Sequence, residues 1–242
     1  MLQRFCQDMF RNSVRRLAVV GAVLLCGLAV QGELMASETA RSESVVVIGA
    51  SYAGGWPIES IGGMPVVNKG VGGQESHEML ARFADDVVAA GPRYVLIWGF
   101  INDVFRTDLD HAEIRLAQSR EDYRRMIELS RDAGIRPVMV TEITMAKSPG
   151  LVNALRYWFD GLRGKASYAE RVNMHVMAMN AWIREHAAAN AIPVLDFEKV
   201  FADADGWRRP AFATEDGSHV TAEGYAALTA YVSKAWAEQV AR

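Results

Sequence analysis

From residue 44 onward, short apolar, β-branched runs alternate with longer stretches in which apolar residues return every three or four positions. The runs SVVVIG (44–49), MPVVNKG (64–70), RYVLIWG (93–99), RPVMVTE (136–142) and IPVLDF (192–197) predict strands. Between them, ESHEMLARFADDVVAA sets Met79, Phe83, Val87 and Val88 at helical spacing, and EDYRRMIELSRDAG predicts a helix closed by Gly134. A further helix is expected over about 168–189, and TAEGYAALTAYVSKAWAEQVA supplies a last one with Thr221 as its N-cap. Continuous apolar strands separated by helices imply a parallel sheet of about five strands covered on both faces, a three-layer α/β/α domain of the flavodoxin-like type. Such sheets take ligands at the carboxyl ends of their strands. No repeat or linker divides the chain.

The N-terminus follows a different pattern. Arg4, Arg11, Arg15 and Arg16 face one acid, Asp8, and the next fourteen residues, LAVVGAVLLCGLAV, carry no charge. This reads as a signal peptide over 1–36, ending near Ala36, because a bilayer span needs about 20 apolar residues. An uncleaved anchor is the competing reading. Leu25 before Cys26 stands where a lipid-attachment box wants a small residue, which argues against a lipoprotein. Removing this leader takes away both cysteines, Cys6 and Cys26, so the remaining domain, 37–242, would hold no disulfide and depend on its core.

Charge narrows the partners. Without the leader's four arginines, Asp8 and Glu33, the whole-chain charge of −3 becomes −5, and a mildly acidic surface disfavours nucleic acid. Half the residues are hydrophobic, which leaves only 37–44 as a candidate disordered stretch. Stable membrane insertion after removal of the leader is not expected. The site implied is a periplasmic or secreted one.

Candidate chemistry begins at VVVIGASYAGG (45–55). A dinucleotide loop would need G-x-G-x-x-G, but Ser51 occupies the second glycine position, and the second strand ends in Asn68 and Lys69 rather than an acid for the ribose. GASYA nearly satisfies the nucleophile elbow G-x-S-x-G, yet that elbow follows several strands, whereas Ser51 ends the first. Three more blocks stand at strand ends or before the last helix: NKGVGG with Gly70, Gly72 and Gly73; WGFIND with Asn102 and Asp103; and DGSH, which sets Asp216 three residues before His219. In order and spacing these four blocks resemble the SGNH (GDSL-type) hydrolase superfamily, over nearly all of 44–242.

The resemblance implies a serine esterase. A serine hydroxyl needs a base, and histidine, with a pKa near 6.5, can serve at neutral pH. Ser51 would be the nucleophile, His219 the base and Asp216 the carboxylate that orients it. The oxyanion donors implied are the Ser51 and Gly73 backbone N–H groups and the Asn102 side-chain amide. The chain departs from the family pattern at Ala50, where aspartate is common, at Tyr52 in place of leucine, and in the third block, where Gly99 stands one place early and Phe100 takes its position.

Other features bear on substrate and on rival functions. His77, His111, His175 and His186 lack metal-ligand spacing, DADG (203–206) reads as a turn, and no metal or organic cofactor is implied. His77 and Trp56 are candidates to border the pocket, and 148–168, rich in large apolar residues, is a candidate lid or a flank of the sheet. The substrate class is a small-molecule, glycan or lipid ester, such as an O-acetylated glycan or a lysophospholipid. Acetyl transfer onto a polysaccharide, and glycan binding without catalysis on Trp56, Trp158 and Trp207, are the alternatives.

Overall fold

A computed structural model describes residues 42–147, 166–215, 217 and 219–240. The leader, the stretch 148–165 and Asp216 lie outside the described residues. The strands are β1 (Ser42–Gly49), β2 (Ser60–Ile61), β3 (Met64–Gly70), β4 (Pro92–Trp98), β5 (Arg136–Val140) and β6 (Val194–Leu195). They form one sheet in the order β2-β3-β1-β4-β5-β6, parallel throughout except for the antiparallel β2–β3 pair.

This is the expected α/β sandwich with six strands rather than five. The extra strand, β2, is a two-residue hairpin arm, too short to show an alternating pattern. Its turn is nonetheless written in the sequence, since Gly62 and Gly63 both have left-handed φ (+58° and +79°), as a two-residue hairpin loop requires. At the other margin, β6 keeps only Val194 and Leu195 of the predicted IPVLDF run. The chain is also ordered earlier than expected: Ser42 lies in β1 and donates its backbone N–H to Gly91 O (3.0 Å).

The helices are α1 (Ser51–Gly54), α2 (Ser76–Ala81), α3 (Ile101–Phe105), α4 (Ala112–Asp132), α5 (Tyr168–Ala189), α6 (Phe197–Phe201) and α7 (Ala222–Ala235). A π-helical turn, Ala84–Val88, continues α2's predicted stretch, and another, Trp236–Val240, follows α7. α4 begins nine residues before the predicted EDYRR segment, because Ala112, Leu116 and Ser119 extend its buried stripe toward the N-terminus. Its end is as read: Gly134 has φ +69° and the Ile135 N–H reaches back to Ser130 O at 2.8 Å. Thr221 caps α7 by accepting the Gly224 N–H at 3.1 Å.

The core lies on both faces of the central strands, and Val45 to Ile48 are wholly buried between the helical layers. Trp56 belongs to this core. Only 2% exposed, it meets Trp98 and Phe197 edge-on, and its Nε1 donates to Thr229 Oγ1 at 3.0 Å, so it lies beneath the surface and is not a pocket wall.

Candidate active site

The sheet register brings three predicted blocks to one edge. Gly49 of β1 stands beside Gly70 of β3 and Trp98 of β4, so the chain leaves three neighbouring strands at the same level. Ser51, Gly72 and Phe100 each follow two residues later. A Cβ built on Gly72 would lie 4.0 Å from the Ser51 Cβ, which makes the second block a direct neighbour of the serine.

The serine turn is set by close backbone approach. A Cβ on Gly49 would come within 2.2 Å of Trp98 O, and one on Gly70 within 2.1 Å of Gly54 N, distances no side chain tolerates. Asn68 locks the same turn from the side. Its Nδ2 donates to Ala53 O (2.7 Å) and Trp56 O (3.3 Å), while its Oδ1 accepts the Gly70 N–H (2.9 Å). Arg82 donates to Lys69 O (2.8 Å) and Gly49 O (3.2 Å), which ties the ends of β1 and β3 together. Ser51 itself is half-buried as the first residue of α1.

Asn102 and Gly73 meet through the next segment. Asn102 sits in α3 and donates Nδ2 to Gln74 O at 2.9 Å, directly after Gly73, whose φ is +78°. A carboxamide carries a second N–H, so an amide that fixes this loop retains a donor for an oxyanion. Asp103 holds the arrangement from below. Fully buried, it accepts from Ser76 N–H (2.9 Å), Ser76 Oγ (2.7 Å), Ser119 Oγ (2.8 Å) and Arg115 Nη2 (2.6 Å), joining α2, α3 and α4. Burial raises the Asp103 pKa, and the Ser76 hydrogen bonds and the Arg115 charge oppose that rise.

The displaced glycine of the third block has a structural reason. Gly99 has φ +149°, and a Cβ there would lie 2.9 Å from Ala50 N and 3.3 Å from Ala50 Cβ, so glycine is needed where β4 passes the residue preceding Ser51. Phe100 is buried and edge-on to Tyr123. Its N–H donates to Glu142 Oε2 (3.3 Å), and Trp98 Nε1 donates to Glu142 Oε1 (3.0 Å). Burial raises the pKa of the Glu142 carboxyl.

His219 enters on a loop closed by an Ala213–Val220 bridge and by Thr214 N–H to His219 O at 3.1 Å. Gly217, with φ +72°, turns this loop. His219 is exposed, and α7, which begins three residues later, docks on the serine turn: Tyr225 Oη donates to Tyr52 O at 3.0 Å. Burial and the neighbouring Tyr52 push the Tyr225 phenol up to about 12. Asp216 lies outside the described residues. Ser51, Gly73 and Asn102 therefore gather at one rim, with the His219 loop joined to it through α7.

Several residues that shape this rim carried no sequence signal. In the sequence Asn68 argues only against a dinucleotide site, and Glu142 at the end of RPVMVTE belongs to no motif. Asp103 was visible beside Asn102, but its buried role was not. His77 is exposed, with its Nδ1 2.7 Å from Arg115 Nη2. DADG forms the expected turn, Asp203 Oδ1 accepting the Asp205 and Trp207 N–H groups at 2.9 and 3.0 Å.

Comparison with known proteins is consistent with this geometry. A model of the GDSL-like lipase/acylhydrolase family matches residues 49–227. The uncharacterized lipoprotein YqeF of Bacillus subtilis (strain 168) is 26% identical over 173 residues, covering 67% of this chain and 70% of that protein. Among solved structures, the lipase/acylhydrolase from Enterococcus faecalis superposes with a TM-score of 0.60 at 20% identity, over 83% of this chain and 98% of that one. Axe2, an acetylxylan esterase from Geobacillus stearothermophilus, gives 0.59 at 18% identity, over 81% and 94%.

Proposed function

The chain belongs to the GDSL-like lipase/acylhydrolase family, whose members are carboxylic ester hydrolases, and from that premise we propose that it is an exported serine esterase working through an acyl-enzyme. The observation that carries the proposal is the shared rim: Ser51 with the Gly72–Gly73 turn and Asn102 at the ends of adjacent strands. In this reading Ser51 Oγ attacks the ester carbonyl and gives its proton to His219. The imidazolium then protonates the leaving alcohol, and Asp216 keeps the ring oriented. The N–H groups of Ser51 and Gly73 and the Asn102 amide hold the oxyanion, and water activated by His219 releases the acid.

An acetyl ester on an envelope or extracellular polysaccharide is the substrate class favoured, supported by the acetylxylan esterase among the structural neighbours. The basic and then apolar N-terminus, together with similarity to a lipoprotein, supports a location outside the cytoplasm. No helix among the described residues is long and apolar enough to cross a membrane. Replacing Ser51 with alanine is expected to abolish hydrolysis of p-nitrophenyl acetate with the melting temperature unchanged, and an organophosphonate is expected to label the peptide containing Ser51. Turnover retained by that variant sinks the assignment, and a series of acyl-chain lengths tests the preference for acetyl.

A further inference from the structure

A buried cation outside the serine, histidine and oxyanion groups links the two sides of the site. Arg208 is 1% exposed, and its guanidinium reaches three segments at once. Nε donates to Thr144 O (2.7 Å) beyond β5, Nη2 to the Tyr52 hydroxyl (2.9 Å), and Nη1 to the backbone carbonyl of His219 (3.0 Å). The guanidinium carbon also lies 5.2 Å from the centre of the Tyr52 ring. Tyr52 immediately follows Ser51. One rigid planar group therefore touches the residue next to the proposed nucleophile and the main chain of the proposed base.

Burying a guanidinium is costly unless its donors are met, and a surface arginine would serve a purely local turn as well. Here the fixed fork of N–H donors sets the spacing between its acceptors, which an ammonium on a flexible stem does not do. Its main chain is anchored too: the Arg208 N–H donates to Met145 O at 3.0 Å, and the residue bridges to both Ala146 and Ala202. The guanidinium is thus a spacer held from the sheet side.

We propose that Arg208 is a positioning residue for ester hydrolysis, setting the distance between the Ser51 turn and the His219 loop. This rests on the reading of Ser51 as nucleophile and His219 as base. Because Arg208 acts through Tyr52 and a backbone carbonyl, its loss should disturb proton transfer rather than substrate binding.

The test measures kcat and KM for p-nitrophenyl acetate, with kcat divided by the number of serines titrated by an organophosphonate, so that unfolded protein is not counted. Arg208→Gln is expected to lower kcat per titrated site roughly 100-fold with KM nearly unchanged, the scale of an ångström-sized misplacement. Arg208→Lys keeps the charge but not the fork and is expected to be equally poor. Full activity in that variant would make Arg208 a mere counter-charge for the buried Glu142 and overturn the proposal.

Tyr52→Phe keeps the ring and removes one acceptor, so a loss of roughly fivefold is expected, with none added in the Arg208→Gln background. Should the arginine variants not fold, Tyr52→Phe decides alone. An unchanged kcat there refutes the link. Ser51→Ala and His219→Ala are run alongside. Retained turnover in either removes the underlying reading, an outcome distinct from a failure confined to Arg208 and Tyr52.

Discussion

Replacing Gly70 with alanine puts a methyl group where the backbone of the serine turn now lies. The new Cβ would stand 2.1 Å from Gly54 N, 2.5 Å from Gly54 Cα and 2.7 Å from Ala53 C, all main-chain atoms that no rotamer change can clear. Ordinary contact requires about 3.5 Å or more, so α1 must withdraw from β3 by about 1 Å or more. Overpacking of this kind costs about 1–3 kcal/mol, which for a domain of this size lowers the melting temperature by about 2–4 °C per kcal/mol. In the proposed mechanism the larger effect is expected on catalysis, because a shift of about 1 Å in Ser51 costs on the order of 100-fold in rate. Urea denaturation followed by tryptophan fluorescence gives the first quantity, and kcat per titrated serine gives the second. Gly72→Ala is the control: its φ is not in the left-handed region and its Cβ would meet Ser51 Cβ at an ordinary 4.0 Å, so stability should change by less than about 0.5 kcal/mol. Wild-type stability and turnover in Gly70→Ala would refute the view that this glycine contact seats the serine.

Two further outcomes follow from the same geometry. In the proposed mechanism Asn102→Ala is expected to lower kcat by about 10²–10³-fold, the scale for loss of one oxyanion donor, with part of that arising because Gln74 O loses its 2.9 Å partner; single-turnover rates with p-nitrophenyl acetate measure it. Asp196 supplies a pH signature: burial pushes its carboxyl up, but the Arg184 hydrogen bonds at 2.7 and 3.0 Å, aided by Lys199, outweigh this and hold it below the usual range. A depressed carboxylate stabilises the fold above its unfolded pKa of about 3.9 and ceases to do so as pH falls through the folded value, so Asp196→Asn should cost about 2 kcal/mol at pH 7. The gap to the wild type should close at acid pH in urea melts at several pH values, and a constant gap would contradict the pairing.

Periodicity located what burial dictates. Val45–Ile48, Tyr94–Trp98 and Val138–Val140 are buried on both faces of the sheet, so their strands stand out as unbroken apolar runs, and Gly134 and Thr221 marked helix ends by local chemistry alone. The short elements escaped for a physical reason. α1, α3 and β2 span two to five residues, too few for a period, and they are held by contacts from elsewhere, such as Asn68 onto Ala53 or Asp103 onto Ser76. The placement of Ser51, Gly73 and Asn102 just beyond neighbouring strand ends was legible from block order. Arg208 was not, because its role depends on atoms 156 positions away in the chain, and the misplaced Trp56 reflects the same limit, since nearness to Ser51 in sequence does not say on which side of a turn a ring lies.

The Gly49–Gly70–Trp98 register also divides the labour of the molecule by stretch of chain. Everything assigned to gripping a carbonyl in the proposed reaction comes from one contiguous run of about sixty residues, 45–105, at the ends of the neighbouring strands β1, β3 and β4, whereas the proposed base, His219, arrives more than a hundred residues later on a loop that meets this run through the Arg208 guanidinium and α7. A change in the later loop is therefore felt by the earlier run through Tyr52, which both Arg208 and Tyr225 touch, so the two parts are built apart in sequence but joined in the fold.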